Sequence, residues 1–545
     1  MTTSLLFLAV LGLQADAPFA VDTARALPGV ETRAGSPDKR WILEVNGGGL
    51  VAGDFDGDGS HDLVVVDGST VESAVAGESG RPPRLFLQTE DARLAPAPES
   101  WNLAGGRFGM GGTAGDVEGD GDLDLVLTEW GPDRLVRNAG GEGFDEARES
   151  PFVGDGWSTS AAFFDLERDG DLDLVVVHYL AFDPGEIPAR EDGDCSWKGQ
   201  RVLCGPEGLT PTHDQLYRND GQGGFEEVAA AAGFVPRAPG FGLGVVTLDA
   251  DLDGDTDLYV TNDSTPNHLW ENLGDGTLRE VGLRKGVAFD ANGKEQAGMG
   301  IAVGDLDADG REDLFCTNFS GETNALYLSG GRARYRERAA PLGVGGPSVP
   351  LLGWGTAALD VDLDADLDLA VVNGHVYPQA GRQGTDTSYA QPNLLHRAGA
   401  DGRFTSEPLS DAPPAVSRAL TWLDLGDDGA LDLAILTLDG PVELLRNRAA
   451  SEGARWLRVV LVDGRGRNRS ALGGRVTARA GDAAQVREIR TAGGYQAAVP
   501  AEAHFGLGDA ATVTLEVRWP DGAEQVVEDV ATNRVLVLER AEEGR

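Results

Sequence analysis

Cysteine and methionine are scarce in this chain, with three of each in 545 residues. Three thiols exclude a dense disulfide framework as the main source of stability. Basic side chains are few: 45 Lys plus Arg stand against 89 acids, for a formal charge of −44 and a pI near 4.4. That balance excludes nucleic acid, whose affinity rests on cationic neutralisation of phosphates, and it excludes docking on anionic lipid. No apolar run approaches the 18 or so residues of a spanning helix. Also missing are a His-x-x-x-His pair, a Gly-x-Ser-x-Gly elbow and a phosphate-cradling Gly-x-x-x-x-Gly-Lys loop. What is present is a 41% hydrophobic fraction with 25% charged residues, enough for a large core rather than a disordered polyelectrolyte. Glycine, at 77 residues, is about twice its usual share. The length suits three or four units, or one large repeat domain with an addition. A surface this acidic favours cations.

The N-terminus reads as an export signal over residues 1–17. Leu5 to Leu13 form a short apolar core, and Ala15-Asp16-Ala17 offers a small-x-small cleavage site, although the leading segment carries no Lys or Arg. The expected location is secreted, periplasmic or cell-surface. Residues 18–40 read as a linker.

One pattern organises the rest. Asp-x-Asp-x-Asp-Gly-x-x-Asp-Leu, with variations, recurs seven times, opening at Asp54, Asp116, Asp165, Asp249, Asp305, Asp360 and Asp424. The intervals are 62, 49, 84, 56, 55 and 64 residues. A Gly-rich or apolar stretch precedes each copy, as in Phe241 to Leu248, and a Val/Leu run such as Leu172 to Val177 follows it. Such runs bounded by Gly and Asp predict strands. Asn-x-Gly segments after Arg137, Arg218 and Glu271 predict hairpin turns. Four strands per unit and seven units predict an all-β chain, a seven-bladed β-propeller over residues 41–450.

The loops have the oxygen chemistry of a hard cation site. In the first, Asp54, Asp56, Asp58 and Asp62 fall at positions 1, 3, 5 and 9, Gly59 reverses the chain at position 6, and Ser60 offers its carbonyl at 7. The second has Asp116, Glu118, Asp120, Asp122 and Asp124; the third Asp165, Glu167, Asp169, Asp171 and Asp173. The fourth has Asp249, Asp251, Asp253, Asp255 and Asp257, and the fifth Asp305, Asp307, Asp309 and Asp313 with Arg311 at position 7. The sixth keeps Asp360, Asp362, Asp364, Asp366 and Asp368 but has Ala365 in place of the reversing glycine. The seventh has Gly426 at position 3, which leaves Asp424, Asp428 and Asp432. About 31 of the 89 acids occupy these positions. Crowded carboxylates repel unless a cation joins them. The expected cofactor is Ca2+, about six ions, with the seventh site weak or empty. Position 12 lacks the bidentate Glu of an EF-hand, and magnesium's strict octahedral demand suits these loops less.

The third unit carries an insertion over 178–214. It holds Cys195 and Cys204, a close pair that in an exported chain predicts a disulfide, whereas Cys316 in an apolar strand predicts a buried free thiol. Residues 451–545 alternate strands with Gly/Asp turns and predict a small β-sandwich. Their arginine content suggests packing against the acidic propeller.

These motifs resemble the FG-GAP (integrin α propeller) and VCBS-type repeat across residues 45–450. The tail resembles the ASPIC/UnbV domain found at the end of cartilage acidic protein-like chains. Ala471 to Val476, Gly493-Gly494-Tyr495, His504 to Gly508 and Val517 to Gly522 carry that second resemblance. Outside the tail, Asn373 to Pro378 after the sixth loop and Cys204-Gly205-Pro206 in the insertion resemble the bacterial members of that family. The resemblance implies adhesion or matrix-type interaction.

No catalytic residue is identified among the scattered histidines. His375 is the best placed for a role, with a structural turn as its plainer reading, and His504 reads as ordering a turn. Two functions follow. One is a secreted, calcium-stabilised scaffold for an extracellular protein or glycan; the other is a carbohydrate-active enzyme working in the propeller channel. Trp157, Trp354 and Trp422 read as core, and Trp130 and Trp197 as freer.

Overall fold

The Asp-Leu pair that ends each acidic loop opens a strand in all seven repeats, from Asp62–Val65 to Asp432–Thr437. The computed structural model describes residues 17–146, 150–154, 156–331 and 334–540. The expected leader at 1–17 lies outside these, apart from Ala17. Among the described residues the chain folds into seven sheets built on the repeat, each of four antiparallel strands and two of them extended by a fifth strand from the tail, with a two-stranded hairpin in the insertion and two further sheets in the tail. Helices are short, five residues at most.

Every repeat sheet has one plan. An inner strand runs into the acidic loop, and the strand after the loop pairs back on it in register, as Leu50–Gly53 does with Asp62–Val65. Two more strands follow outward. The inner strands (Leu50–Gly53, Gly109–Gly115, Ser158–Phe164, Gly242–Leu248, Ile301–Gly304, Gly353–Leu359 and Ser417–Leu423) contact one another in that order, and the last returns to the first. The sheets therefore form a ring. Apolar faces of neighbouring sheets pack between them: Val51 and Val64 of the first meet Leu125 and Leu127 of the second.

The seventh sheet takes its outer strand from the other end of the chain. Phe19–Val21 pairs with Glu443–Asn447, Phe19 opposite Asn447. The stretch read as a linker thus supplies a strand, because the seventh repeat has only three strands of its own and its third would otherwise expose an unpaired edge.

Asn138, Asn219 and Asn272, read as hairpin-turn residues, are buried at the ends of third strands. Each donates its amide to a backbone carbonyl of the preceding sheet's loop: Asn138 to Phe55 at 2.7 Å, Asn219 to Val117 at 2.9 Å and Asn272 to Leu166 at 2.9 Å. They staple sheet to sheet. The reversal itself falls on the residues after them.

In the tail, a three-stranded and a four-stranded sheet share a core of Leu457, Val459, Val476, Leu515 and Trp519. Between them, residues 491–498 leave the tail and enter the ring. Gly494 and Tyr495 pair with the inner strand of the fourth sheet, and Ala497 and Ala498 run parallel to Leu50 and Val51 of the first. Thr421 of the seventh sheet donates to the Ala498 carbonyl, Ser160 of the third accepts from the Gln496 amide, and the Tyr495 ring packs on Trp354 of the sixth at 4.9 Å. The segment fills the axis. The glycines of the inner strands make room for it: a Cβ at Gly49 would lie 2.2 Å from the Gln496 carbonyl, and one at Gly111 2.9 Å from the Gln496 Cα.

Cys195 and Cys204 are bonded, closing the insertion, and Cys316 is a buried free thiol. Trp157 and Trp354 are buried as expected, but Trp130 is also buried, its ring edge-on to Phe182 of the insertion. Among the described residues, no helix is long and apolar enough to cross a membrane.

Candidate metal centres

Each acidic loop wraps its own backbone amides around its first carboxylate. The amide at position 6 donates to the acid at position 1: Gly59 to Asp54 at 2.9 Å, Gly121 to Asp116 at 2.8 Å, Gly170 to Asp165 at 2.9 Å, with the same bond in the other four. The acid at position 9 brackets the loop. Asp173 accepts from Leu166 at 2.8 Å and from Asn219 on the third strand at 2.9 Å, and its six counterparts accept equivalent pairs. Closing the turn requires a left-handed residue at position 6, and the six glycines there have φ between 81° and 104°. Ala365 adopts the same conformation, φ 88°, against its side chain's preference. Position 4 is left-handed too, at Gly57, Gly119, Arg168, Leu252, Ala308, Leu363 and Asp427.

Burial pushes these acids up. Asp62, Asp173, Asp313 and Asp368 are raised to about 8 and Asp116 and Asp305 to about 6, first because burial penalises the charge and then because neighbouring carboxylates repel it. Buried oxygens of Asp54 (Oδ1), Asp249 (Oδ1), Asp251 (Oδ1) and Glu167 (Oε2) accept no hydrogen bond. Buried acceptors without donors, in a cluster of like charge, suit a hard cation.

The loops differ in how far their acids converge. Carboxylate oxygens lie within 4.8 Å of one another at Asp54, Asp56 and Asp58; at Asp249, Asp251 and Asp253; at Asp305, Asp307 and Asp313; and at Asp360, Asp362 and Asp364. Elsewhere arginines draw the acids aside. Arg137 pairs with Glu118, Arg218 with Glu167 at 2.7 Å, and Arg467 with Asp171 at 3.1 Å. Even in converging loops some acids are shared, with Arg168 on Asp255 at 2.5 Å and Arg397 on Asp362 at 2.6 Å. Arg311 turns back on Asp309 at 2.9 Å, and the Ser60 amide caps Asp58 at 2.8 Å. Asp120, Asp124, Asp169 and Asp257 accept from backbone amides, Asp122 is crowded by Asp120 and Glu118, and Asp366 donates its own amide to Asp364 at 3.0 Å.

The seventh loop already holds a cation from the protein. Arg458 of the tail, 1% exposed, reaches Asp424 at 3.2 Å and Asp427 at 2.7 Å and is itself held by Glu502 at 2.8 Å. His61 completes the cluster, its Nδ1 accepting from the Asp424 amide at 3.0 Å. Arg446 takes Asp432 at 2.6 Å, and Asp428 keeps a bond to the Ala430 amide at 3.0 Å. The tail's arginines act the same way at other loops: Arg518 meets Asp249 at 3.3 Å and Arg490 meets Glu312 at 2.5 Å.

Two further histidines, His375 and His504, lie against backbone groups. His375 Nδ1 accepts from the Tyr377 amide at 3.0 Å, ordering the turn, and burial lowers it to about 3. His504 sits 2.8 Å from the Gly429 carbonyl of the seventh loop.

Comparison with known proteins extends this picture. An ASPIC and UnbV family model matches residues 464–545, and an FG-GAP-like repeat model matches 54–127, 116–176 and 249–316. Cartilage acidic protein 1 of Mus musculus is 25% identical over 507 residues, 87% of this chain and 70% of the relative. The Homo sapiens protein is 27% identical over 328 residues, 57% of this chain and 45% of the relative, so the match spans less than half its length. Among solved structures, the BP39L lectin from Burkholderia pseudomallei aligns with TM-score 0.45 and 11% identity, over 75% of this chain and 98% of the lectin. Repeat, terminal module and long relative agree: the chain is an FG-GAP-like repeat protein with a C-terminal ASPIC/UnbV domain, similar over most of its length to cartilage acidic protein 1.

Proposed function

We propose that the chain is a secreted calcium-binding scaffold: a seven-bladed β-propeller closed by a small β-sandwich, presenting a rigid surface to an extracellular protein or glycan. Calcium stabilises the blades at about six loops. The observation that carries this reading is the set of buried loop carboxylates with unpartnered oxygens, raised by burial and by one another. Asp54, Asp56 and Asp58 would hold one ion with Asp62 behind them, and the second to sixth loops would act alike through their acids at positions 1, 3, 5 and 9. When bound, the ion supplies positive charge at the turn and keeps both strands of the hairpin in register. The seventh loop is the exception, since Arg458 and Arg446 supply its positive charge.

The competing reading, an enzyme using the channel, loses support because residues 491–498 occupy the axis. Calorimetric titration of metal-stripped protein with calcium tests the proposal. About six sites are expected. No binding, or a single site, would sink it.

A further inference from the structure

The ends of the inner strands away from the acidic loops surround a cavity of about 420 Å³. Asn46 and Leu243 lie where inner strands begin, and Tyr179, Asp263 and Phe319 lie where second strands have ended, so the cavity opens on the face opposite the loops. The disulfide-closed insertion roofs it, with Trp197 on a two-stranded hairpin.

Its walls have two chemistries. Aromatic rings line it: Trp197 stands 5.6 Å from Tyr377, which stands 6.2 Å from Phe319, and Tyr179 and Trp354 lie deeper. Carboxylates are the charged groups of the lining, at Asp263, Glu322 and Glu207; among the described residues, no Lys or Arg lines the cavity. Asp263 is fixed by the Tyr179 hydroxyl at 2.5 Å and the Ser264 hydroxyl at 2.9 Å, and Glu322 by the Ala297 amide at 2.9 Å. Burial lifts both carboxyls above their ordinary range; at Glu322 it outweighs the exposed Lys294 ammonium 3.8 Å away, which draws that carboxyl the other way. The ring of Trp197 already receives an ammonium, Lys198 Nζ at 4.9 Å from its centroid. A volume of this size suits a small organic molecule.

We infer that this cavity binds an organic ammonium ion, a cationic nitrogen carried on aliphatic carbon, with the carbons against Trp197, Tyr377 and Phe319 and the charge facing Asp263 and Glu322. Rings and anionic oxygens together recognise such a cation, because the ring faces attract it while the carboxylates neutralise it. A free amine and an ammonium carried on a peptide or headgroup share this chemistry. The site goes beyond the scaffold reading and does not depend on the metal loops.

The test is titration of the full-length, calcium-saturated protein with n-butylammonium and with choline, followed by tryptophan fluorescence and calorimetry. Methyl glucoside and butyrate serve as neutral and anionic probes. Saturable binding of one or both ammonium probes is expected, butylammonium favouring a primary amine and choline a quaternary one, with little from glucoside or butyrate. Trp197→Ala, on an exposed hairpin, and separately the isosteric pair Asp263→Asn with Glu322→Gln should each weaken binding at least tenfold. Near-ultraviolet circular dichroism and the calcium count confirm that the variants fold. No saturable ammonium binding overturns the proposal, as does glucoside binding of equal strength or affinity that survives both variants. A negative titration on protein with its calcium count intact would overturn this inference alone.

Discussion

Position 6 of the acidic loop shows what one residue decides. Six glycines turn left-handed there without cost, and Ala365 makes the same turn with a methyl group in the way. Ala365→Gly keeps the amide that donates to Asp360 and removes the strain, while adding some freedom to the unfolded chain. Chemical denaturation should find the variant more stable by about 0.5–1 kcal/mol; a loss of stability would mean that the sixth loop has relaxed around its alanine. The glycine at position 6 was readable in the sequence because it recurs, and so was its failure in the sixth copy. The left-handed residue at position 4 was not. Glycine occupies it in only two of the seven loops, and Arg168, Leu252 and Leu363 give no hint of a positive φ.

At the scale of elements, the least legible feature is the segment 491–498. Strands, loops and their order followed from period-two runs and repeated acids, which are local signals. Axis filling is not local, since it depends on a Gly-Tyr-Gln stretch meeting Gly244 and Val245, about 250 residues earlier in the chain, and Ser160, 336 residues earlier. The sequence did show its counterpart, the Gly-rich stretches ahead of the loops, but without the segment they had no partner to explain them. Arginine in the tail pointed correctly to packing on acidic loops, as Arg458 and Arg518 show. Tyr495 anchors the segment, fully buried, its hydroxyl donating to the Asn46 carbonyl at 2.8 Å. Tyr495→Ala should cost about 3–5 kcal/mol, as expected for removal of a large buried ring. Urea unfolding watched by tryptophan fluorescence should also split into two transitions, ring and tail. A single transition at the original midpoint would show that the segment fills space without coupling the two parts.

For the molecule as a whole, the buried loop acids link stability to pH and, on the proposed reading, to calcium. In the metal-free folded state Asp62, Asp173, Asp313 and Asp368 keep their protons up to about pH 8, whereas the unfolded chain releases them near the ordinary 3.8. Their folded pKa is raised, so the stability they add is fully present below 3.8 and is lost as pH climbs toward 8. On the proposed reading calcium would bind the deprotonated form and cancel that loss. The gap in Tm between calcium-saturated and metal-stripped protein should therefore widen from pH 5 to pH 8; a constant gap would remove the loops from the linkage. Ring closure carries a different consequence, one of timing. Phe19–Val21 finds its partner only once Glu443–Asn447 has been made. At about 5–20 residues per second, synthesis separates the two by roughly 20 to 85 seconds. During that interval the first strand of the chain waits with nothing to pair against, and the last repeat to be translated is the one that ends the wait.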